Sequence, residues 1–167
     1  MLNTETPECT LQIWRKKMFK SSRLYDQDTF YDAFKRDLRH CKREVIIESP
    51  FITTRRANAL LPILAKLRKR NVSIIVNTRD PIEHGGDYYH QALNALEAMQ
   101  NLGITVLYTT HHHRKLAIID RKVFYEGSLN ILSFSDSCEI MRRVVSSVEA
   151  KILINFIGVK KYARRKY

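Results

Sequence analysis

Cysteine is scarce in this chain and long apolar runs are absent, and each feature excludes a class of protein. The three cysteines, Cys9, Cys41 and Cys138, are scattered and form no Cys-x-x-Cys pair. They predict neither a disulfide framework nor a zinc knuckle, and reduced thiols suit the cytosol. No apolar stretch reaches the roughly 20 residues that cross a bilayer, and the first ten residues lack the pattern of a signal peptide. We therefore expect a cytoplasmic protein without a membrane span.

Acidic residues are also few relative to basic ones. The 167 residues include 29 Lys and Arg but only 17 Asp and Glu, which gives a formal net charge of +12 at pH 7. Such a balance favours a polyanionic partner, either nucleic acid or an anionic membrane surface. We predict one domain over residues 25–158, preceded by an irregular basic arm over 1–24 and followed by a basic tail over 159–167.

Internal repeats and low-complexity segments are absent, and the order of predicted elements indicates the fold class. Helices are predicted within residues 26–42, 57–71, 88–103 and 149–158, and strands within 44–52, 72–78, 104–109, 115–120, 123–127 and 139–145. Strands and helices alternate first, and a run of strands follows. That order predicts an α/β sandwich built on a mixed sheet.

Single residues refine the predicted helices. The apolar stripe of the first helix is Phe30, Phe34, Leu38 and Cys41, and that of the third is Leu93, Leu96 and Met99. Proline fits only the first turn of a regular helix, so Pro62 predicts that the second helix starts near Ala59 or carries a kink.

Polar side chains are concentrated where two of the predicted strands meet. In "HHHRKLAIID", residues 111–120, His113 and Lys115 lie two apart at the start of a strand and share a face. Ser128 and Asn130 are also two apart in "GSLN", directly after the next strand, where Gly127 allows a close backbone approach. A hairpin would bring these groups together. Together they would make a phosphate pocket that contains a nucleophile or proton carrier.

This spacing resembles the HKD motif of the phospholipase D superfamily. His113-x-Lys115, four residues, Asp120, six residues and Gly127-Ser128-x-Asn130 follow the family pattern without gaps. The segments around the motif look like single-motif, nuclease-type members and like copies attached to nucleic-acid helicases. The resemblance implies a phospholipase D-like α/β/α sandwich with a mixed, mostly parallel sheet, and helicases as candidate partners.

The resemblance also implies roles for the motif residues. His113 would attack phosphorus and form a phosphohistidine, while Lys115 and Asn130 would hold the phosphoryl oxygens with help from Ser128. An acid after the motif orients the histidine in nuclease-type relatives, and Glu139 is the candidate here. Asp120 falls on the opposite strand face and would support the structure. The substrate-contact candidates are Gly127, His111, His112 and Arg114.

A second motif is missing from the chain. His40, His84 and His90 lack the lysine two residues later and the GSxN partner. The resemblance therefore implies a homodimer that pairs two motifs, with one histidine as nucleophile and the other as acid and base. Lysines would do the electrostatic work, so neither a metal nor another cofactor is expected.

Alternatives remain at the level of the sequence. Three consecutive histidines suggest a metal site, but neighbours in sequence rarely converge on one ion. The charge favours nucleic acid as the partner, so with the chemistry that the resemblance implies, the first hypothesis is a metal-independent endonuclease that acts on DNA, with RNA as a further substrate. The other hypotheses are a phospholipid hydrolase and a nucleic-acid-binding module with little catalysis. The sequence is also compatible with a piece of a longer chain.

Overall fold

A computed structural model describes residues 22–133 and 136–159 of the chain. The predicted basic arm up to residue 21 and the predicted basic tail from residue 160 lie outside the described residues, as do residues 134 and 135 of the segment after the motif.

The described residues form seven strands, four α-helices and one short 3₁₀ turn. The strands are β1 (Ser22–Asp26), β2 (Glu44–Glu48), β3 (Ser73–Thr78), β4 (Thr105–Tyr108), β5 (Leu116–Ile119), β6 (Val123–Gly127) and β7 (Ile140–Val145). The helices are α1 (Phe30–His40), α2 (Thr54–Lys69), α3 (Asp87–Asn101) and α4 (Ser147–Ile157), and the 3₁₀ turn is Pro81–Glu83. Every strand and helix that the sequence predicted is therefore present.

All seven strands belong to one mixed sheet in the order β1-β7-β6-β5-β2-β3-β4. Only the β2–β3 and β3–β4 pairings are parallel, whereas the other four are antiparallel. The expectation of a mostly parallel sheet was therefore wrong, although a mixed sheet is confirmed. Parallel neighbours need a crossover of a dozen or more residues, and only the connections through α2 and α3 provide one between paired strands.

Two apolar clusters cover the two faces of the sheet. On one face, Val45 and Ile47 pack with the buried residues of α1, α2 and α3. On the other face, Ile46 and Ile118 pack with the buried side of α4. Strands buried on both faces carry continuous apolar runs, which is why β2 and β5 show no alternation. The α/β/α sandwich is thus confirmed.

Three details differ from the sequence-based expectations. β1 forms an edge strand from Ser22 onward, where an irregular arm was predicted; its pattern is weak because only Tyr25 is buried. Helix α2 begins at Thr54, so Pro62 lies in its interior. The buried side of α2 offsets the roughly 3 kcal/mol that an interior proline costs. Leu93 is exposed, because α3 instead buries a stripe of small and apolar residues, namely Ala92, Ala95, Leu96 and Met99.

The apolar stripe of α1 and two helix ends agree with the prediction. Phe30, Phe34, Leu38 and Cys41 are almost fully buried. Asn71 and Gly103 adopt positive φ angles of 59° and 73° just after α2 and α3, as expected of residues that end helices.

The topology places several loops at one edge of the sheet. Because β5 is antiparallel to β2, and β6 to β5, the start of β5 and the end of β6 lie beside the carboxyl ends of β2 and β3. We call this the carboxyl edge and the opposite one the amino edge. Within the described ranges, none of the helices has the length and apolar character that crossing a membrane requires.

Candidate active site at the carboxyl edge of the sheet

His113 and Lys115 precede β5 at the carboxyl edge and point to the same place. The Lys115 ammonium donates to the His113 carbonyl at 2.9 Å, and Nζ lies 3.2 Å from Nδ1 and 3.3 Å from Nε2 of the same ring. The imidazole is exposed, whereas Lys115 is half-buried. A cation therefore lies directly beside an accessible imidazole, as the strand spacing predicted.

The Lys115 ammonium lies among other charges. Burial lowers its pKa, and the nearby Arg79 guanidinium acts in the same direction, whereas the Glu139 carboxylate raises it. Arg79 follows β3 and Glu139 precedes β7, so these charges reach the carboxyl edge from different loops. Two cations and one carboxylate at a single edge can bind a phosphodiester anion and position a proton.

The hairpin brings the GSLN segment beside Lys115. The Gly127 amide donates to the Lys115 carbonyl at 3.3 Å, which extends the pairing of β5 and β6. Ser128 Oγ donates to Glu139 and accepts from the Ile140 amide at 3.1 Å. Ser137 Oγ donates to the other Glu139 oxygen at 2.7 Å. Glu139 is thus held beside Ser128, and its predicted role in orienting His113 stays a prediction.

Gly127 allows β6 to lie close to β7. A Cβ atom at this position would lie 2.0 Å from the Ile140 carbonyl oxygen and 2.8 Å from Met141 Sδ. The close backbone approach predicted for this glycine is therefore present, and the strand that it approaches is β7. The same approach positions the Ile140 amide against Ser128.

Asn130 follows Ser128 in the turn after β6 and has an unusual environment. Its backbone carbonyl accepts from the Ser133 amide at 3.1 Å and from the Tyr31 hydroxyl at 3.4 Å. Its side-chain Oδ1 is buried and has no hydrogen-bond partner among the described residues. Leaving a buried polar atom unsatisfied costs about 1–3 kcal/mol. Because Oδ1 can only accept, a phosphodiester oxygen would have to be bound by the Nδ2 donors of the same amide.

The other two histidines of the run have different surroundings. His111 has a φ of 54°, its side chain is 91% exposed, and its amide donates to Glu83 at 3.2 Å. His112 is buried, and its carbonyl accepts from Arg79 Nε at 2.7 Å. Burial lowers the pKa of the His112 ring, which favours its neutral form. Substrate contact by either residue stays a prediction.

Arg114 lies on the opposite face of the sheet from Lys115, as its neighbouring position in the chain requires. It forms a bidentate ion pair with the fully buried Glu48, with one hydrogen bond of 3.0 Å between Nη2 and Oε1. Asn77 also donates to Glu48, at 3.1 Å. This pairing gives Arg114 a structural task, and its predicted contact with substrate receives no support from its position.

Asp120 lies at the amino edge, away from the other motif residues. Its carboxylate accepts from the amides of Lys42, Arg43 and Glu44 at 2.8, 2.7 and 3.1 Å and from the Cys41 thiol at 3.2 Å. Burial alone would raise the pKa of Asp120, but these hydrogen bonds outweigh it and hold the pKa below its ordinary value. The supporting position that strand alternation predicted for Asp120 agrees with this geometry.

Sequence reasoning missed three residues at the carboxyl edge. Arg79 contacts the His112 backbone, and Arg56 lies over the Tyr31 ring with its guanidinium carbon 3.4 Å from the centroid. Tyr31 and Arg56 line a cavity of about 460 Å³ that also reaches Glu139. A signal was available for Arg79, because ligands of open α/β sheets bind outside the carboxyl ends of the strands. In the part of the chain that the structure describes, no His, Cys, Asp and Glu side chains cluster as metal ligands would.

Comparisons with known structures support the fold. The chain resembles Nuc, a phospholipase D family member from Salmonella typhimurium, with 15% identity and a TM-score of 0.68 over 81% of this chain and 90% of that one. NucT from Helicobacter pylori gives 14% identity and a TM-score of 0.65 over 84% of this chain and 95% of its own. TrmBL2, an archaeal chromatin protein, gives 10% identity and a TM-score of 0.60 over 98% of this chain and 55% of its own.

Sequence comparison identifies the family. No curated protein sequence matches the chain significantly. The family model described as "Cardiolipin synthase, PLD-like domain" matches residues 34–155, which is more than half of the chain and includes the whole motif. The chain therefore belongs to the phospholipase D-like family.

Proposed function

We propose that the chain is a metal-independent phosphodiesterase that cleaves DNA, and RNA as a further substrate, through His113. The observation that carries the proposal is the exposed His113 imidazole, which lies beside the half-buried Lys115 ammonium. An accessible ring nitrogen can attack phosphorus, while the cation balances the charge that develops on the phosphoryl oxygens.

The reaction takes place in two displacements. In the first, a His113 ring nitrogen forms a bond to phosphorus, the bond to one ester oxygen breaks, and that oxygen takes a proton from a second imidazole. In the second, water loses a proton to that second imidazole and displaces His113 from phosphorus. Lys115 and Asn130 hold the non-bridging oxygens in both steps, and the Ser128–Glu139 pair lies beside them.

The second imidazole comes from another copy of the chain. The His111 ring lies 3.9 Å from Glu83 and His112 is buried, whereas the His113 ring lies beside the Lys115 ammonium. A two-fold axis near the carboxyl edge would pair two His113 residues in one homodimeric site. Sedimentation should then give twice the 19.6 kDa of one chain.

Charge supports nucleic acid as the substrate. A net charge of +12 favours a polyanion through counter-ion release. A structural relative, TrmBL2, is described as binding DNA. Association with a helicase, expected from the sequence, stays a prediction.

A specific observation favours a second candidate. The description of the matching family model names cardiolipin synthase, whose chemistry concerns phospholipids. The same His113 and Lys115 pair would serve a phospholipid phosphodiester equally well. Release of a headgroup from anionic vesicles, without cleavage of nucleic acid, would favour this candidate.

The test is cleavage of plasmid DNA and of a labelled single strand in excess EDTA at neutral pH. Wild type, His113→Asn and the control His40→Asn are compared; His40 is exposed and lies at the amino edge. We expect cleavage by wild type and His40→Asn, and a loss of at least about 1000-fold in His113→Asn. DNA binding without cleavage by any of the three would instead indicate a binding module.

A further inference from the structure

A cavity of about 450 Å³ lies beside the proposed reaction site and has no role in the mechanism above. Phe51 comes from the loop after β2, Arg79 from the loop after β3, His84 from the segment that leads into α3, and Tyr88 from the first turn of α3. We call this cavity the Phe51 pocket.

Flat rings and a cation form the walls of the Phe51 pocket. The ring centroids of Phe51 and His84 are 5.1 Å apart, with the planes tilted by 55°. The Arg79 guanidinium lies 5.3 Å from the Phe51 centroid, and Tyr88 is 54% exposed at the rim. Accessible aromatic rings next to an arginine are how proteins stack unpaired nucleobases.

The Phe51 pocket is connected to the reaction site by two residues. Arg79 donates to the carbonyl of His112, the residue before the proposed nucleophile, at 2.7 Å. Its charge also contributes to the electrostatic environment of Lys115. Ser133 lines both this pocket and the cavity that contains Glu139. When a phosphodiester is held at Lys115, the base of a neighbouring nucleotide is therefore within reach of the Phe51 pocket.

We propose that the Phe51 pocket binds an unpaired nucleobase next to the cleaved phosphodiester, stacked against Phe51 and Tyr88, so that the chain prefers single strands. The inference rests on the proposed function for the position of the phosphodiester. A base in a duplex is stacked on its neighbours and must be unpaired before it can enter. An acyl chain fits less well, because the carboxylate of Glu83 and the guanidinium of Arg79 share the walls.

The first test measures stacking without cleavage. Single-stranded oligonucleotides with one 2-aminopurine are titrated with His113→Asn, with Phe51→Leu in the same background, and with Phe156→Ala as control. Phe156 is 81% exposed on α4, on the other face of the sheet. We expect quenching that Phe156→Ala retains, and an affinity about 5- to 100-fold lower in Phe51→Leu. Equal affinity and equal quenching in all three variants would overturn the proposal that the Phe51 pocket binds a base, whether or not the chain cleaves DNA.

The second test uses cleavage. An abasic nucleotide is moved one position at a time across the cleaved bond of a single strand, and kcat/KM is compared for wild type and Phe51→Leu. We expect one position at which the abasic change lowers kcat/KM about 5- to 100-fold in wild type and much less in Phe51→Leu. If kcat/KM is the same at every abasic position, the proposed role of the Phe51 pocket is contradicted and the proposed function is not affected. Stacking without any cleavage would instead contradict the proposed function.

Discussion

The two edges of the sheet contain residues of the same motif in opposite surroundings. At the carboxyl edge, His113 is exposed and Asn130 has a buried Oδ1 without a described partner. At the amino edge, Asp120 accepts three backbone amides and a thiol. Strand β5 separates Lys115 from Asp120 by roughly 16 Å at about 3.3 Å per residue.

The difference shows that a motif need not be one site. Asn130 Oδ1 has no hydrogen-bond partner among the described residues, whereas Asp120 uses its hydrogen-bonding capacity to join β5 to the segment before β2. Even the Cys41 thiol contributes there: burial raises its pKa to about 12, so it stays a neutral donor to Asp120. Under the proposed function, the carboxyl edge serves the chemistry and the amino edge serves the fold. The predictions below test this division.

After His113→Asn, the largest effect is expected at Lys115. Lys115→Met keeps the length of the apolar stem but removes the cation beside His113, so kcat should fall about 100- to 1000-fold. The free energy of unfolding should change by less than about 0.5 kcal/mol. The control is Lys122→Met, on the hairpin turn at the amino edge, which should leave both quantities unchanged. Steady-state kinetics measure kcat, and urea unfolding measures stability. A large loss of stability in Lys115→Met would contradict the division between an edge for chemistry and an edge for the fold.

Gly127→Ala should affect both fold and activity, because its Cβ would meet the Ile140 carbonyl at 2.0 Å. Strand β7 must shift, at a cost of about 1–3 kcal/mol or more. The same shift moves the Ile140 amide away from Ser128, so activity should fall as well. Gly85→Ala is the matched control for stability, since nothing lies within 4 Å of its Cβ and its φ is not positive. An unchanged urea midpoint in Gly127→Ala would contradict the close approach.

Asp120→Asn should lower stability and preserve catalysis. Asparagine tolerates the φ of 52° at this position, so the change removes mainly the charge that the amides stabilise. We expect a loss of about 1–3 kcal/mol in urea unfolding and an unchanged kcat in folded protein. Asp32→Asn, an exposed change on α1, should cost a few tenths of a kcal/mol. A loss of kcat like that of Lys115→Met would move Asp120 into the catalytic site.

The smallest effect is the pH dependence that Asp120 contributes. Its pKa in the folded state lies below the ordinary value of 3.8, so its stabilisation is present above that value and disappears as pH falls through the folded pKa. Between pH 5 and pH 2, the free energy of unfolding should therefore fall more steeply in wild type than in Asp120→Asn. If the free energy of unfolding, measured by urea titration at each pH, falls with the same slope in both proteins, the folded state does not specifically stabilise the carboxylate.

The sequence predicted features that depend on local periodicity. The stripe of α1, the β5–β6 hairpin and the shared face of His113 and Lys115 follow from repeats of 3.6 and 2 residues. Parity along β5 also indicates that Arg114 faces away from Lys115, so this signal was present in the sequence. Its partner Glu48 was not predictable, because β2 and β5 are far apart in the chain.

Features that depend on strand order could not be read from the sequence. Apolar runs look alike in buried parallel and antiparallel strands, so the excess of antiparallel pairings left no local signal. Pro62 lies within α2 because tertiary packing outweighs its local preference. Phe51, Arg79 and Tyr88 converge only because the sheet brings two loops and the start of α3 to one edge.

The central claim is that His113 attacks phosphorus and is then displaced by water. The most direct test is the stereochemical course of hydrolysis of a phosphodiester made chiral with sulfur and oxygen isotopes. Each in-line displacement inverts phosphorus, so the two displacements proposed here predict net retention of configuration. Net inversion would show that water attacks directly, which would contradict a covalent intermediate on His113.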